Sequence, residues 1–114
     1  MIEFYGIPNC DTVKKARAWL DARGIAYAFH DYKKEGAKPG KLDEWIAERG
    51  WETLLNRAGT TFRKLPEADK QGLDATKAVR LMVEQPSMIK RPVVEHPGGL
   101  LVGFKEGEWQ AALG

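Results

Sequence analysis

The sequence predicts an α/β fold, with one mixed sheet, helices packed on it, and a helical block inserted between the two halves of the sheet. Residues 1 to 32 read strand–helix–strand and the last part of the chain reads strand–strand–helix. The stretch between them shows helical spacing without strand alternation. A chain of 114 residues with 43% hydrophobic composition suits one domain with one core. At this size roughly two-thirds of the unfolded surface is buried, so no disulfide or metal staple is needed. The expected partition is a core of about residues 1–38 and 87–114 around an insertion of about 39–86, within a single domain 1–114.

Each element follows from local spacing. Ile2 to Tyr5 predicts a short strand. Asp11 to Arg23 predicts a helix, because Val13, Ala16, Trp19 and Leu20 recur on one face and Gly24 supplies a stop. Ile25 to Tyr32 mixes β-branched and aromatic residues and predicts a second strand, which normally pairs parallel to the first through a right-handed crossover. Lys33 to Gly40 is expected to be a polar loop. Helices are expected at Lys41 to Arg49, at Trp51 to Leu55 and at Asp74 to Glu84, with Gly59 to Lys64 as an ordered loop. Val93 to Glu95 and Leu100 to Val102 flank Pro97-Gly98-Gly99 as a hairpin, and Lys105 to Leu113 predicts the last helix.

Composition removes several classes of function. One cysteine excludes an internal disulfide and fits a reducing compartment. No basic segment followed by an apolar run opens the chain, and no apolar run nears the roughly 20 residues that span a bilayer. A cytoplasmic protein without a membrane partner is therefore expected. A net charge of +2 gives little general attraction for nucleic acid. His30 and His96 lie far apart in sequence and a lone cysteine cannot build a Cys-rich zinc site, so no metal is expected. No phosphate-binding glycine loop ending in Lys-Ser or Lys-Thr is present. His30, next to Phe29 on a strand, reads as a packed or surface residue rather than a base.

Cys10 is the residue with chemistry. It sits where the first strand meets the first helix, just before Asp11 and Thr12. The first N–H groups of a helix lack intrahelical partners and point outward, and the helix dipole adds to them. A thiol there ionises easily and becomes a nucleophile, although a lone cysteine is also commonly a buried structural residue. Arg91-Pro92 is the second informative feature, a proline at a loop-to-strand junction. By base rate its peptide bond would be trans. Arg57, Arg63, Lys64, Lys90 and Arg91 lie in or beside loops and would form an anion pocket if folding brought some of them to Cys10. One cation about 4 Å from a thiolate interacts by roughly 4 kcal/mol at an effective dielectric near 20. Lys33, Lys34, Lys38 and Lys41 read instead as a solvated face.

Tyr5-Gly6-Ile7-Pro8-Asn9-Cys10-Asp11-Thr12 and Lys90-Arg91-Pro92-Val93, joined by a helical block, resemble the arsenate reductase (ArsC) family. Gly6-Ile7, Cys10-Asp11-Thr12, Trp51, Leu54-Leu55-Asn56 and Gly59 to Leu65 are similar to its YffB-like branch, and the resemblance covers essentially the whole chain. It implies a thioredoxin-like fold with an inserted helical subdomain. It also implies a cis Pro92 against the Cys10 loop, with Arg91 flanking the thiol. The departures matter as much. The resemblance implies a histidine where this chain has Gly6, and an arginine where it has Asn56, with Arg57 one step later. A further arginine is implied in the final hairpin strand, where the chain has Gly103. A trianion needs several fixed donors, which guanidinium groups supply best, so arsenate is disfavoured as the main substrate. The Spx-like regulators, which bind RNA polymerase, share the fold, and many use a Cys-x-x-Cys switch. Here Val13 occupies the second position.

The expectation is a cytoplasmic, glutathione-dependent thiol/disulfide reductase. Cys10 is the catalytic nucleophile, and Arg91, Asp11, Thr12, Asn56, Arg57 and Arg63 stabilise the thiolate or bind substrate. Pro92 shapes the docking edge. Glutathione is the co-substrate that the resemblance implies, and the partners are a small disulfide or a protein disulfide. No nucleic acid is expected to bind, and the chain is expected to be a monomer. Arsenate reduction and an Spx-like regulatory role are the alternatives.

Overall fold

β1 (Ile2–Gly6) opens the chain with strict alternation, Ile2, Phe4 and Gly6 buried and Glu3 and Tyr5 half-buried. The structure is a computed structural model that describes residues 2–114. It divides into two compact units, Met1–Glu35 with Arg91–Gly114, and Gly36–Lys90.

In the first unit, α1 (Asp11–Ala22) turns Val13, Ala16, Trp19 and Leu20 inward. Gly24, at φ +66°, ends it. The Gly24 N–H donates to the Asp21 carbonyl (3.1 Å) and the Ile25 N–H to the Leu20 carbonyl (3.0 Å), a closure that glycine's access to the left-handed region permits. That closure absorbs Ile25, so β2 is Tyr27–Asp31 rather than the Ile25 to Tyr32 expected from composition. Tyr32 instead opens a helical turn, α2 (Tyr32–Glu35), inside the segment expected to be loop. The Asp31 carboxylate accepts the N–H groups of Lys33 (2.9 Å) and Lys34 (3.4 Å), and Glu35 reaches back to the Asp31 N–H (3.3 Å). These bonds turn the chain at Asp31.

β3 (Val93–His96) and β4 (Gly99–Val102) form the hairpin. The sheet order is β2-β1-β3-β4, with β1 parallel to β2 and antiparallel to β3. One face carries the core: Ile2, Phe4, Val94 and Leu101 from the sheet, the four inward residues of α1, and Trp109 of α8 (Glu106–Leu113).

The second unit is helical: α3 (Pro39–Arg49), α4 (Trp51–Leu54), α5 (Thr60–Arg63), α6 (Glu67–Lys70), α7 (Ala75–Glu84) and a 3-10 turn at Pro86–Met88. α3 starts at Pro39 rather than Lys41, since proline at a first helical position lacks only an N–H that would go unused there. The segment Gly59 to Lys64, expected to be loop, contains α5 with Phe62 buried. Asp74 caps α7 by accepting the Lys77 N–H at 2.8 Å. A bridge pairs Leu55 with Ile89.

Candidate functional site

β1 runs out at Gly6, and Ile7-Pro8-Asn9-Cys10 leads into α1. The strand register fixes what else lies at this end of the sheet. Gly6 stands opposite Asp31, Tyr5 opposite Val93, and Val93 opposite Val102. The same end therefore collects the Cys10 turn, Tyr32 just past β2, Arg91-Pro92 just before β3, and Gly103 just past β4.

Cys10 is the N-cap residue of α1, with extended backbone (φ −128°, ψ 126°) and a carbonyl that accepts the Lys14 N–H at 2.9 Å. Its side chain accepts no capping hydrogen bond from the first-turn N–H groups. It is half-buried against the core cluster. Asp11 and Thr12 follow in the exposed first turn. The turn is pinned from behind by Gly6, where an added Cβ would lie 3.0 Å from Val13 Cγ2. Glycine lets β1 approach the first turn of α1 this closely.

At the same end of the sheet the Arg91–Pro92 peptide bond is cis. Pro92 is buried, and its carbonyl accepts the Gly103 N–H at 2.8 Å. Gly103 follows β4 rather than lying within it, at φ +77°, where a side chain would be strained. Arg91 is half-buried and acts electrostatically on Tyr32. Burial pushes the Tyr32 hydroxyl well above the usual tyrosine value of 10.0, Tyr5 and Glu95 push the same way, and Arg91 opposes them.

Tyr5 stacks on Tyr32 at 6.4 Å and on His30 at 4.6 Å, and its hydroxyl donates to Glu95 Oε1 at 3.4 Å. His30 bridges Glu3 on β1 (2.8 Å) and Glu35 on α2 (3.3 Å). Burial alone would lower the imidazole's pKa, but the two carboxylates carry it above 6.5. The polar roles of Tyr32 and His30 escaped the sequence reading. The signal available for the turn beside them was Asp31, a residue type favoured as a helix N-cap.

Asn56, Arg57 and Arg63 belong to the helical unit. The Asn56 N–H donates to the Met88 carbonyl at 2.7 Å, and its side-chain amide lies so close to Gly59 that a Cβ there would come within 2.8 Å of Nδ2. The Arg57 guanidinium lies over the Trp51 ring at 5.5 Å, a cation–π contact. Arg63 is exposed, and its carbonyl accepts from Lys70 Nζ at 2.7 Å. Among the described residues, no group of three or more His, Cys, Asp or Glu is placed to hold a metal ion, and no helix is long and apolar enough to cross a membrane.

A strand–helix–strand segment and a strand–strand–helix segment sharing one mixed sheet, with a helical insertion between them, define a thioredoxin-like fold. Within that class the chain belongs to the ArsC family, whose model matches residues 5–112. An uncharacterised protein of Haemophilus influenzae is 45% identical over 99% of both chains. The global transcriptional regulator Spx 1 of Lactococcus lactis is 29% identical over 99% of this chain and 89% of its own length. Among solved structures, the YFFB (PA3664) protein is 59% identical over all of both chains, with a TM-score of 0.97. An arsenate reductase (ArsC) related protein from Brucella melitensis is 57% identical over 97% of this chain and 92% of that one, with a TM-score of 0.77.

Proposed function

We propose that this chain is a glutathione-dependent thiol/disulfide reductase of the cytoplasm, acting as a monomer on small or protein disulfides. The observation that supports it is the meeting of the Cys10 turn and Arg91-Pro92 at one end of the sheet, with Cys10 as the sole thiol. The Cys10 thiolate attacks the glutathionyl sulfur of a mixed disulfide R–S–S–G. A Cys10–S–S–G bond forms, the S–S bond of R–S–S–G breaks, and RS⁻ leaves to take a proton from water. A glutathione thiolate then attacks the glutathionyl sulfur on Cys10, releasing glutathione disulfide and the Cys10 thiolate. The net change is one disulfide reduced and two glutathione equivalents joined. Arg91 binds a glutathione carboxylate, and the main-chain N–H groups of the first turn of α1, at Asp11 and Thr12, face the developing anion.

Incubation with oxidised glutathione should add one glutathionyl mass to the wild type and none to Cys10→Ser. Arg91→Ala should slow the addition roughly tenfold to a hundredfold, since a charge-assisted hydrogen bond contributes about 1.5–3 kcal/mol. Arg91→Lys should recover only part, because it replaces the charge but not the fork. A wild-type rate in Arg91→Ala would remove Arg91 from the site. A switch by internal disulfide, which many Spx-like regulators use, is not open to this chain because Val13 stands at the second position and no second cysteine exists.

A further inference from the structure

Trp109 is wholly buried, yet its indole carries a polar N–H that needs a partner. Nε1–H donates to the Gly103 carbonyl at 3.0 Å. Gly103 in turn donates its own N–H to the Pro92 carbonyl at 2.8 Å, and its left-handed φ of +77° lets it face both ways. The bonds thus run from the last helix, through one glycine, to the residue that follows Arg91. The donor is aimed rather than loose. The Trp109 ring meets Phe104 at 4.9 Å, Trp19 at 5.8 Å and Phe4 at 6.3 Å, all edge to face. Trp19 lies on α1, the helix that Cys10 opens. One side chain therefore touches the helix bearing the thiol and anchors the strand entry bearing the arginine.

We propose that Trp109 is a positioning residue, which through Gly103 fixes the Arg91-Pro92 segment relative to the Cys10 helix and so sets the preference of Cys10 for anionic disulfides. This rests on the roles given to Cys10 and Arg91 above. A tryptophan that merely fills the core would need only its ring. A positioning tryptophan needs its N–H as well.

The test compares the rate of Cys10 modification by oxidised glutathione, which is anionic, with that by hydroxyethyl disulfide, which is neutral. In the wild type the ratio of the two rates favours the anion, and Arg91→Ala removes that preference. Trp109→Phe keeps an aromatic ring but loses the donor, and should lower the ratio by roughly twofold to tenfold, the worth of one neutral hydrogen bond. Gly103→Ala strains the relay from the other end without touching the aromatic cluster, and should lower the same ratio. It carries the test if Trp109→Phe does not fold. A general loosening changes both rates together and leaves the ratio alone. An unchanged ratio in the folded variants, with the Arg91→Ala effect intact, would overturn the positioning role by itself. An unchanged ratio in Arg91→Ala would instead overturn the site reading, and the positioning role with it.

Discussion

Replacing Gly6 with alanine adds one methyl group at the joint between β1 and α1. Its carbon would sit 3.0 Å from Val13 Cγ2 and 3.5 Å from Phe4 Cε1. Carbon atoms rest at about 3.5–4.0 Å, so the first contact is roughly half an ångström too short. Val13 and Phe4 are both at 0% exposure, and neither has room to retreat without shifting the helix. Overpacking of this kind costs about 1–3 kcal/mol. Restricting the unfolded chain returns about 0.4–1 kcal/mol. The net expectation is a destabilisation of about 1 kcal/mol, read from the urea midpoint at unchanged m. Val13→Ala alone should cost about 2 kcal/mol, for two methyl groups and the space they leave. The double variant should cost about 2 rather than the additive 3, because the new methyl fills part of that space. A neutral Gly6→Ala, or additivity within about 0.5 kcal/mol, would refute the close approach.

Two further outcomes follow from the site. His30 is held above 6.5 by its carboxylate partners, so its contribution to stability is fully present below that value and lost as pH rises through the folded one. The stability gap between wild type and His30→Gln, followed by urea denaturation across pH, should be widest near about pH 6 and close in alkali; a flat gap would refute the clasp. Arsenate turnover with glutathione and glutaredoxin should fall below about 1 per second, the low end of ordinary enzymes. Faster turnover would show that Gly6, Asn56 and Gly103 do not cost the protein its oxyanion ligands.

Much of this was legible in residue order. Val13, Ala16, Trp19 and Leu20 announce the buried face of α1, and all four are buried. The hairpin was signalled by Pro97-Gly98-Gly99 between two apolar runs, with His96 pairing with Gly99. The misplacements fall where side chains compete for the backbone. Tyr32 has strand propensity, but the Asp31 and Glu35 carboxylates capture the neighbouring N–H groups and wind it into a helical turn. Pro39 was an available helix-start signal that the polar context of Lys33 to Gly40 masked. Arg57 illustrates a different limit. Its position in a loop makes it a candidate anion ligand, and linear spacing does not reveal that its guanidinium also lies over the ring of Trp51.

The strand order also sets when the site comes into being. β1 is central in the folded sheet, yet its second neighbour, β3, comes from the last part of the chain. Until Val93 to His96 has been synthesised, β1 is an exposed sheet edge, with unpaired N–H and C=O groups open to any passing strand. Pairing across so long a sequence separation is slow, because the chain between must be ordered or looped out first. The thiol therefore leaves the ribosome early and its arginine late. A nascent or truncated chain ending before Arg91 carries the cysteine without the arginine that enters the sheet at the same end, so on the function proposed above selectivity for anionic disulfides belongs to the finished molecule alone.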